Sequence, residues 1–280
     1  VSAAASAARG GGGFFARSGS QLIGLVSRRS LVVALARAEL RRENARLFLG
    51  ALWWIADPLL QMVVYTVLVS VIFQRSVADY PIFVLPALMA WKGFAASVST
   101  GSTAITGNER IVRQLAFPRI VLPVARLSAQ LWRLSVALLV MVGLMLVLWP
   151  ERLSPALVWL PVLALVEMVF LLPFVIFLSA ATVFVRDLSN LMRHVMRLAL
   201  YLSPVLYGMD QLLARVPEAV GVAYQVNPVA VLLESFRQVT YAGQAPMAAS
   251  LLLPLGVGLT LLAPSMAWFA RVERRLGKLL

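Results

Sequence analysis

Three ionisable residues stand inside long apolar runs, where a charge is costly: Lys92, Arg133 and Glu167. Each falls near the middle of a run of membrane-spanning length, so all three can share one depth. A charge at the centre of a bilayer costs about 2.5–3.5 kcal/mol on insertion scales. Side chains that carry such a cost face a bundle interior or a wet cavity. The chemistry open to them there is ion pairing, or the lining of a path for a polar solute. Glu167 paired with Lys92 or Arg133 beside a transport path is the expectation. A purely structural ion pair that holds spans together satisfies the same residues.

Aromatic side chains extend the pattern. Trp53, Trp54, Tyr80, Trp149, Trp159 and Trp268 lie near the ends of the runs, as an interfacial belt does. Trp91, Phe94 and Trp132 lie deeper. Their faces could stack on sugar C–H faces along a path, or pack between helices.

Other chemistries lack their residues. His194 is the single histidine and there is no cysteine, so a metal constellation has no ligand set. The phosphate-binding pattern G-x-x-x-x-G-K-[ST] is absent, and its nearest fragment, Leu276-Gly277-Lys278-Leu279, lacks both the upstream Gly and the Ser or Thr. No G-x-S-x-G nucleophile elbow is present. This chain is therefore not expected to hydrolyse ATP, nor to be an enzyme. The short basic loops also differ from the acidic catalytic loop of membrane glycosyltransferases.

The elements that must position these residues follow from composition. Of 280 residues 61% are hydrophobic and 13% charged, and mean hydropathy is +0.86. Soluble chains are nearer half apolar and a quarter charged. The fold class expected is an all-α integral membrane protein with six spans, at about 52–73, 82–104, 120–149, 156–185, 191–209 and 247–270. Each meets the need for roughly 20 apolar residues. Residues 1–30 read as a flexible Gly-rich tail without a convincing cleavable signal. Residues 31–50 read as an amphipathic interfacial helix, with Val33, Ala36, Leu40 and Leu47 on its apolar stripe. Residues 51–270 form the transmembrane domain and 271–280 a basic tail. Between spans five and six, residues 210–246 are broken by Pro217, Gly221, Pro228 and Gly243, which suits short re-entrant helices. There Asn227-Pro228 reads as an N-cap followed by proline at the first helical position.

The formal net charge is +13. In a soluble protein that would raise nucleic acid as a partner; here the charges cluster between apolar runs, so none is expected. With the N-terminus inside, the inner segments hold 19 of the Lys and Arg residues and the outer segments four, Arg75, Arg152, Arg215 and Arg237. Positive-inside then places both ends in the cytoplasm, as an even number of spans requires.

In this order and at these places, several short motifs resemble the permease subunit of ABC exporters for polysaccharides, the class that moves O-antigen, capsule, teichoic acid and galactan chains. They are Leu49-Gly50-Ala51-Leu52-Trp53-Trp54 with Asp57-Pro58; Trp91 with Phe94; Asn108-Glu109-Arg110-Ile111-Val112-Arg113 running to Phe117-Pro118-Arg119; Arg186-Asp187; Ser203-Pro204-Val205-Leu206-Tyr207; and Asn227-Pro228 followed by Glu234-Ser235-Phe236-Arg237. The resemblance covers about residues 31 to 275. Lys92 departs from it, since an uncharged residue is expected beside Trp91.

The resemblance implies two copies of this permease and two copies of a separate nucleotide-binding ATPase, which would bind the ATP and Mg. The path would follow the permease dimer interface, with Trp91, Lys92, Phe94, Trp132, Arg133 and Glu167 as candidates to line it. Asn108, Glu109, Arg110, Arg113, Phe117, Pro118 and Arg119 would form the ATPase-coupling loop. Asn227, Pro228, Glu234 and Arg237 would belong to the outer gate. Arg41, Arg42 and Arg46 could attract the diphosphate headgroup of a lipid-linked glycan, or anionic membrane lipid generally. A drug or small-lipid exporter of the same fold, a proton-coupled secondary transporter and a membrane-embedded glycan enzyme are the competing readings.

Overall fold

Long apolar runs without water must satisfy every backbone N–H and C=O internally, and a helix does this within one segment. A computed structural model describes residues 28–44, 50–72, 79–115 and 117–279. The described residues form helices α1 (Arg29–Asn44), α2 (Trp53–Thr66, widening into π turns over Val67–Ile72), α3 (Tyr80–Ser102), α4 (Glu109–Gln114), α5 (Val121–Leu148), α6 (Leu160–Phe184), α7 (Leu188–Leu202), α8 (Met209–Leu213), α9 (Glu218–Gln225), α10 (Pro228–Thr240) and α11 (Ala248–Leu279).

Among the described residues, five segments are long and apolar enough to cross a bilayer: Ile55–Ile72, Tyr80–Ser102, Val121–Leu148, Pro155–Phe184 and Ala248–Glu273. The count reaches six if α9 and α10, bent 72° to one another, are taken as one broken span. The all-α membrane architecture expected from composition is present. The expected span at 191–209 is not formed at that length. Helix α7 stops at Leu202 after 15 residues, roughly 22 Å at 1.5 Å per residue, and the backbone of Ser203 turns extended. Pro204 is the reason, because its ring disfavours helical backbone at the residue before it.

Helix α3 is the axis of the bundle. Two-thirds of its apolar window is buried (67%), against 6% for Ile55–Ile72. It packs on α5, α6, α10, α2 and α7. Tight seams come from glycine. A Cβ at Gly101 would lie 2.6 Å from Val175 Cγ1, so α3 meets α6 at near-backbone distance. A Cβ at Gly258 would lie 2.8 Å from the Phe170 Cα and the Val169 carbonyl, which lets α11 run against α6. Where these helices reach the end of the bundle that carries α1 and α4, Ile105, Val112, Ile120, Ile176, Met266 and Phe269 close a second core.

Helix α1 packs against α5. Ala36 faces the protein as the stripe requires, but Val33 is exposed, and Glu39 turns inward. The inward turn is stabilised by Arg126 of α5, whose Nε lies 3.3 Å from Glu39 Oε1. Leu40 is half-buried, and the last stripe residue, Leu47, lies with Arg46 outside the described residues.

Candidate functional site

Within the span level, two cavities flank α2 where it lies over α3. The first, about 410 Å³, is lined by Trp53, Asp57, Lys92, Gln130 and Arg133 among others. The second, about 350 Å³, lies on the other side of α2, against α7. Lys92 borders both. Its ammonium pairs with the carboxylate of Asp57, which also accepts from Gln61 Nε2 at 3.3 Å. The partner of Lys92 is thus Asp57 and not Glu167. In the sequence, Asp57 stands out only as part of the Asp57-Pro58 motif. Its position five residues into a span is the signal that identifies it as a fourth intramembrane charge.

Glu167 lies behind this wall. It is 2% exposed, and a Cβ at Gly93 would stand 3.2 Å from its Oε1. Neither carboxyl oxygen has a hydrogen-bond partner among the described residues. Lys92 and Arg133 therefore share a cavity, and Glu167 touches its glycine wall from the far side.

The deep aromatic residues divide. Trp91 is 4% exposed and stacks on Phe94 at 5.4 Å; Phe94 continues to Phe170 at 6.2 Å and Phe170 to Phe174 at 5.2 Å. This is a ladder that ties α3 to α6. Trp132 is 59% exposed on α5 and does not converge with them.

At the α1 end, Asn108 Nδ2 donates to the Ala104 carbonyl at 2.8 Å, and Arg113 pairs with Glu109 at 2.7 Å across one turn of α4. Arg110 is exposed. A shallow cavity of about 700 Å³ joins Arg42 of α1 to this turn and to Arg110 and Arg113. Phe117 packs on the second core, and Pro118 follows it. Arg119 is engaged within the chain: its backbone N–H donates to Glu273 Oε1 at 2.8 Å, and its guanidinium donates to the Glu273 carbonyl. Arg126 donates to the Thr100 carbonyl at 3.1 Å and to Thr103 Oγ1 at 3.3 Å, so one guanidinium joins α1, α3 and α5. Arg42 lies 3.1 Å from Glu39, while Arg41 is exposed. Sequence reading missed Glu39, Arg126 and Glu273, because a charge in an amphipathic or basic stretch looks solvated until its neighbours are known.

At the opposite end, Asn227 Oδ1 accepts from the Val229 N–H at 3.0 Å, so the expected N-cap with Pro228 behind it is formed. Arg237 is 2% exposed. It donates to the carbonyls of Phe83 at 3.2 Å, Tyr207 at 3.0 Å and Val205, pairs with Glu234 at 3.2 Å, and stands 4.3 Å over the Phe83 ring. Phe83 meets Tyr241 edge-on at 5.4 Å, and Arg152 stands 4.9 Å over Tyr241 while pairing with Asp79 at 2.6 Å. Two arginines and two rings thus alternate across this end. They join α10 to α3, the turn after α7 and the loop before α6.

Comparison with known proteins matches residues 30–241 to the ABC-2 type transporter family. The chain is 29% identical over 236 residues to an O-antigen export system permease protein, RfbA, of Myxococcus xanthus, covering 84% of this chain and 89% of that protein. It is 26% identical over 216 residues to the protein of the same name from Klebsiella pneumoniae, covering 76% and 81%. With the match spanning α1, the turn at 106–113 and the capped bend at Asn227, the chain belongs to the ABC-2 type transporter family.

Proposed function

We propose that this chain is the permease subunit of an ATP-driven exporter that moves a lipid-linked polysaccharide outward across the bacterial inner membrane. The observation that carries the reading is its similarity to O-antigen export permeases over nearly their whole length. Both ends are then cytoplasmic, in keeping with the surplus of Lys and Arg on that side. The chain binds no cofactor of its own and catalyses no reaction; ATP and Mg sit in two copies of a separate ATPase.

The geometry suits that division of work. The α1 surface and the turn at 106–113 share one basic cavity, where a partner can push on both together. Arg126 behind them passes the motion to α3 and α5. A second copy of the chain is expected over α2 and α7. Helix α2 is apolar yet largely unburied, and α7 buries no residue within the single chain.

The test is co-purification with a candidate nucleotide-binding ATPase from the same cells, followed by ATPase measurement on the reconstituted pair. A complex with two copies of each subunit, whose hydrolysis is uncoupled from export by Arg110→Ala and Arg113→Ala, is the expected result. Transport or glycan turnover by the chain alone, with no ATPase bound, sinks the reading.

A further inference from the structure

Glu167 is a buried acid without a task in the arrangement above. It is 2% exposed, and neither carboxyl oxygen has a hydrogen-bond partner among the described residues. An ionisable side chain at this depth normally faces a partner or a wet cavity. What lies nearest to it is an opening. A Cβ at Gly93 would stand 3.2 Å from Glu167 Oε1 and 3.5 Å from Leu134 Cδ1. Gly93 and Leu134 both line the cavity of about 410 Å³, with Lys92 and Arg133. The side chain missing at 93 thus leaves a gap through which the carboxyl faces that cavity.

The two acids of this region sit on supports of different firmness. Glu167 belongs to α6, which is seamed to α3 at Gly101 on Val175 and to α11 at Gly258 on Phe170. Asp57 belongs to α2, the span with 6% of its window buried. The Asp57 side chain is 55% exposed and that of Lys92 25%. Beyond Thr66, α2 widens into π turns that bury no residue, a geometry frequent at functional sites. A shift of α2 therefore carries Asp57 away and leaves Lys92 on the axis of the bundle. Lys92 directly precedes Gly93. Over a glycine its flexible four-carbon stem meets no Cβ on the way to Glu167. A stranded charge inside a bundle is strongly unfavourable, and a second carboxylate within reach relieves it.

We infer that Glu167 is the second counter-ion of Lys92: the lysine pairs with Asp57 while α2 lies on α3, and turns over Gly93 to Glu167 when α2 draws away. The inference rests on the exporter reading for the occasion on which α2 moves, since a second copy is expected over that helix. The exchange keeps Lys92 compensated in both positions of α2, so the helix leaves without breaking an ion pair outright.

The first test uses the full chain in phosphatidylcholine nanodiscs and compares the effect of E167Q on the melting temperature in several backgrounds. In the otherwise unchanged chain E167Q should be neutral within about 1 °C, because Glu167 has no partner there to lose. In D57N it should lower the melting temperature further by about 3 °C or more, because Glu167 then holds Lys92. D57N by itself still destabilises, since Lys92 must turn to a new site. In D57N/K92M the effect of E167Q should disappear, which identifies Lys92 and not Arg133 as the cation. In D57N/G93A it should disappear as well, because the new Cβ closes the gap. Additivity of E167Q with D57N overturns the inference. So does an undiminished effect in D57N/K92M, which would assign Glu167 to Arg133.

A D57N chain that fails to fold leaves a second measurement with Asp57 in place. The chain has no cysteine of its own, so V64C on α2 and L139C on α5, both at exposed positions, take spin labels. In the complex with ATPase and ATP their distance should show a second, longer population, which E167Q reduces by about half or more. A longer population untouched by E167Q, or none at all, overturns the inference. If the melting pattern holds but no ATPase pairs with the chain, the exporter reading falls and the exchange stands. If an ATPase pairs and E167Q is additive throughout, the exchange falls and the exporter reading stands.

Discussion

Arg126 Nε of α5 stands 3.3 Å from Glu39 Oε1 of α1, in a contact where both side chains are about nine-tenths covered. It is an ion pair rather than an aligned hydrogen bond. The same carboxylate oxygen lies 3.1 Å from Arg42. Helix α1 is thus locked to the bundle by a charge on its inner face.

Removing one member of that pair strands the other. Glu39→Gln is expected to cost about 3 kcal/mol, since breaking a buried ion pair leaves an uncompensated charge. Glu39→Leu with Arg126→Met should cost less than the sum of the single changes. Thermal unfolding of the four variants in detergent, taken as a double-mutant cycle, checks this; additivity would mean that the contact contributes nothing.

Glycine at 258 and at 256 should answer differently to the same change. Gly258→Ala drives a Cβ to 2.8 Å from the Phe170 and Val169 backbone, so α11 must lift from α6. A loss of about 1–3 kcal/mol is expected. Gly256→Ala meets open space and should be neutral or stabilising by up to about 1 kcal/mol. Equal melting shifts for the two would exclude the close seam.

Arg237 donates to three carbonyls, two of which, those of Val205 and Tyr207, lie outside any helix and would lose this donor with it. Arg237→Met is expected to destabilise by about 3 kcal/mol or more and to open the turn at 203–208 to protease. Arg237→Lys should not rescue, because one ammonium cannot reach sites that a planar fork spans. Rescue by lysine would show that charge alone matters.

Lys92 and Asp57 invite exchange. Asp57→Asn or Lys92→Met each leaves an ion without its partner at the cavity, and each should lower the melting temperature, Asp57→Asn more because it strands the better covered Lys92. The exchanged pair, Asp57→Lys with Lys92→Asp, should recover part of that loss. No recovery would mean that surroundings other than the partner set each charge.

Arg110 and Arg119 divide as surface and strut. Arg110→Ala should leave stability unchanged within about 0.5 kcal/mol, since the residue is exposed, and lower only ATPase coupling. Arg119→Ala should lower stability as well, because it releases the Glu273 carbonyl at the end of α11. If both variants lose coupling alone, the Arg119 contact carries no structural weight.

Much of the architecture was legible along the chain. The apolar runs at 82–104, 120–149 and 156–185 appear as α3, α5 and α6 with small shifts at their ends. The N-cap at Asn227 needed only its own side chain and the following proline. The run at 191–209 misled because Leu200, Leu202, Val205 and Leu206 raise its hydropathy on both sides of Pro204, whereas the helix depends on the backbone at Ser203.

Composition and period are properties of neighbours along the chain, so the sequence by itself determined the membrane class, most of the helices and the lack of a nucleotide-binding motif. It could also mark Lys92, Arg133 and Glu167 as costly, because cost depends on depth alone. Which charge answers which was decided by tertiary structure. Helix faces meet at heights set by contacts such as Gly101 on Val175 and Gly258 on Phe170, and those heights bring Asp57 to Lys92, Glu39 to Arg126 and Glu273 to Arg119. A charge selects its partner within a few ångströms, and that distance is set by how whole helices pack.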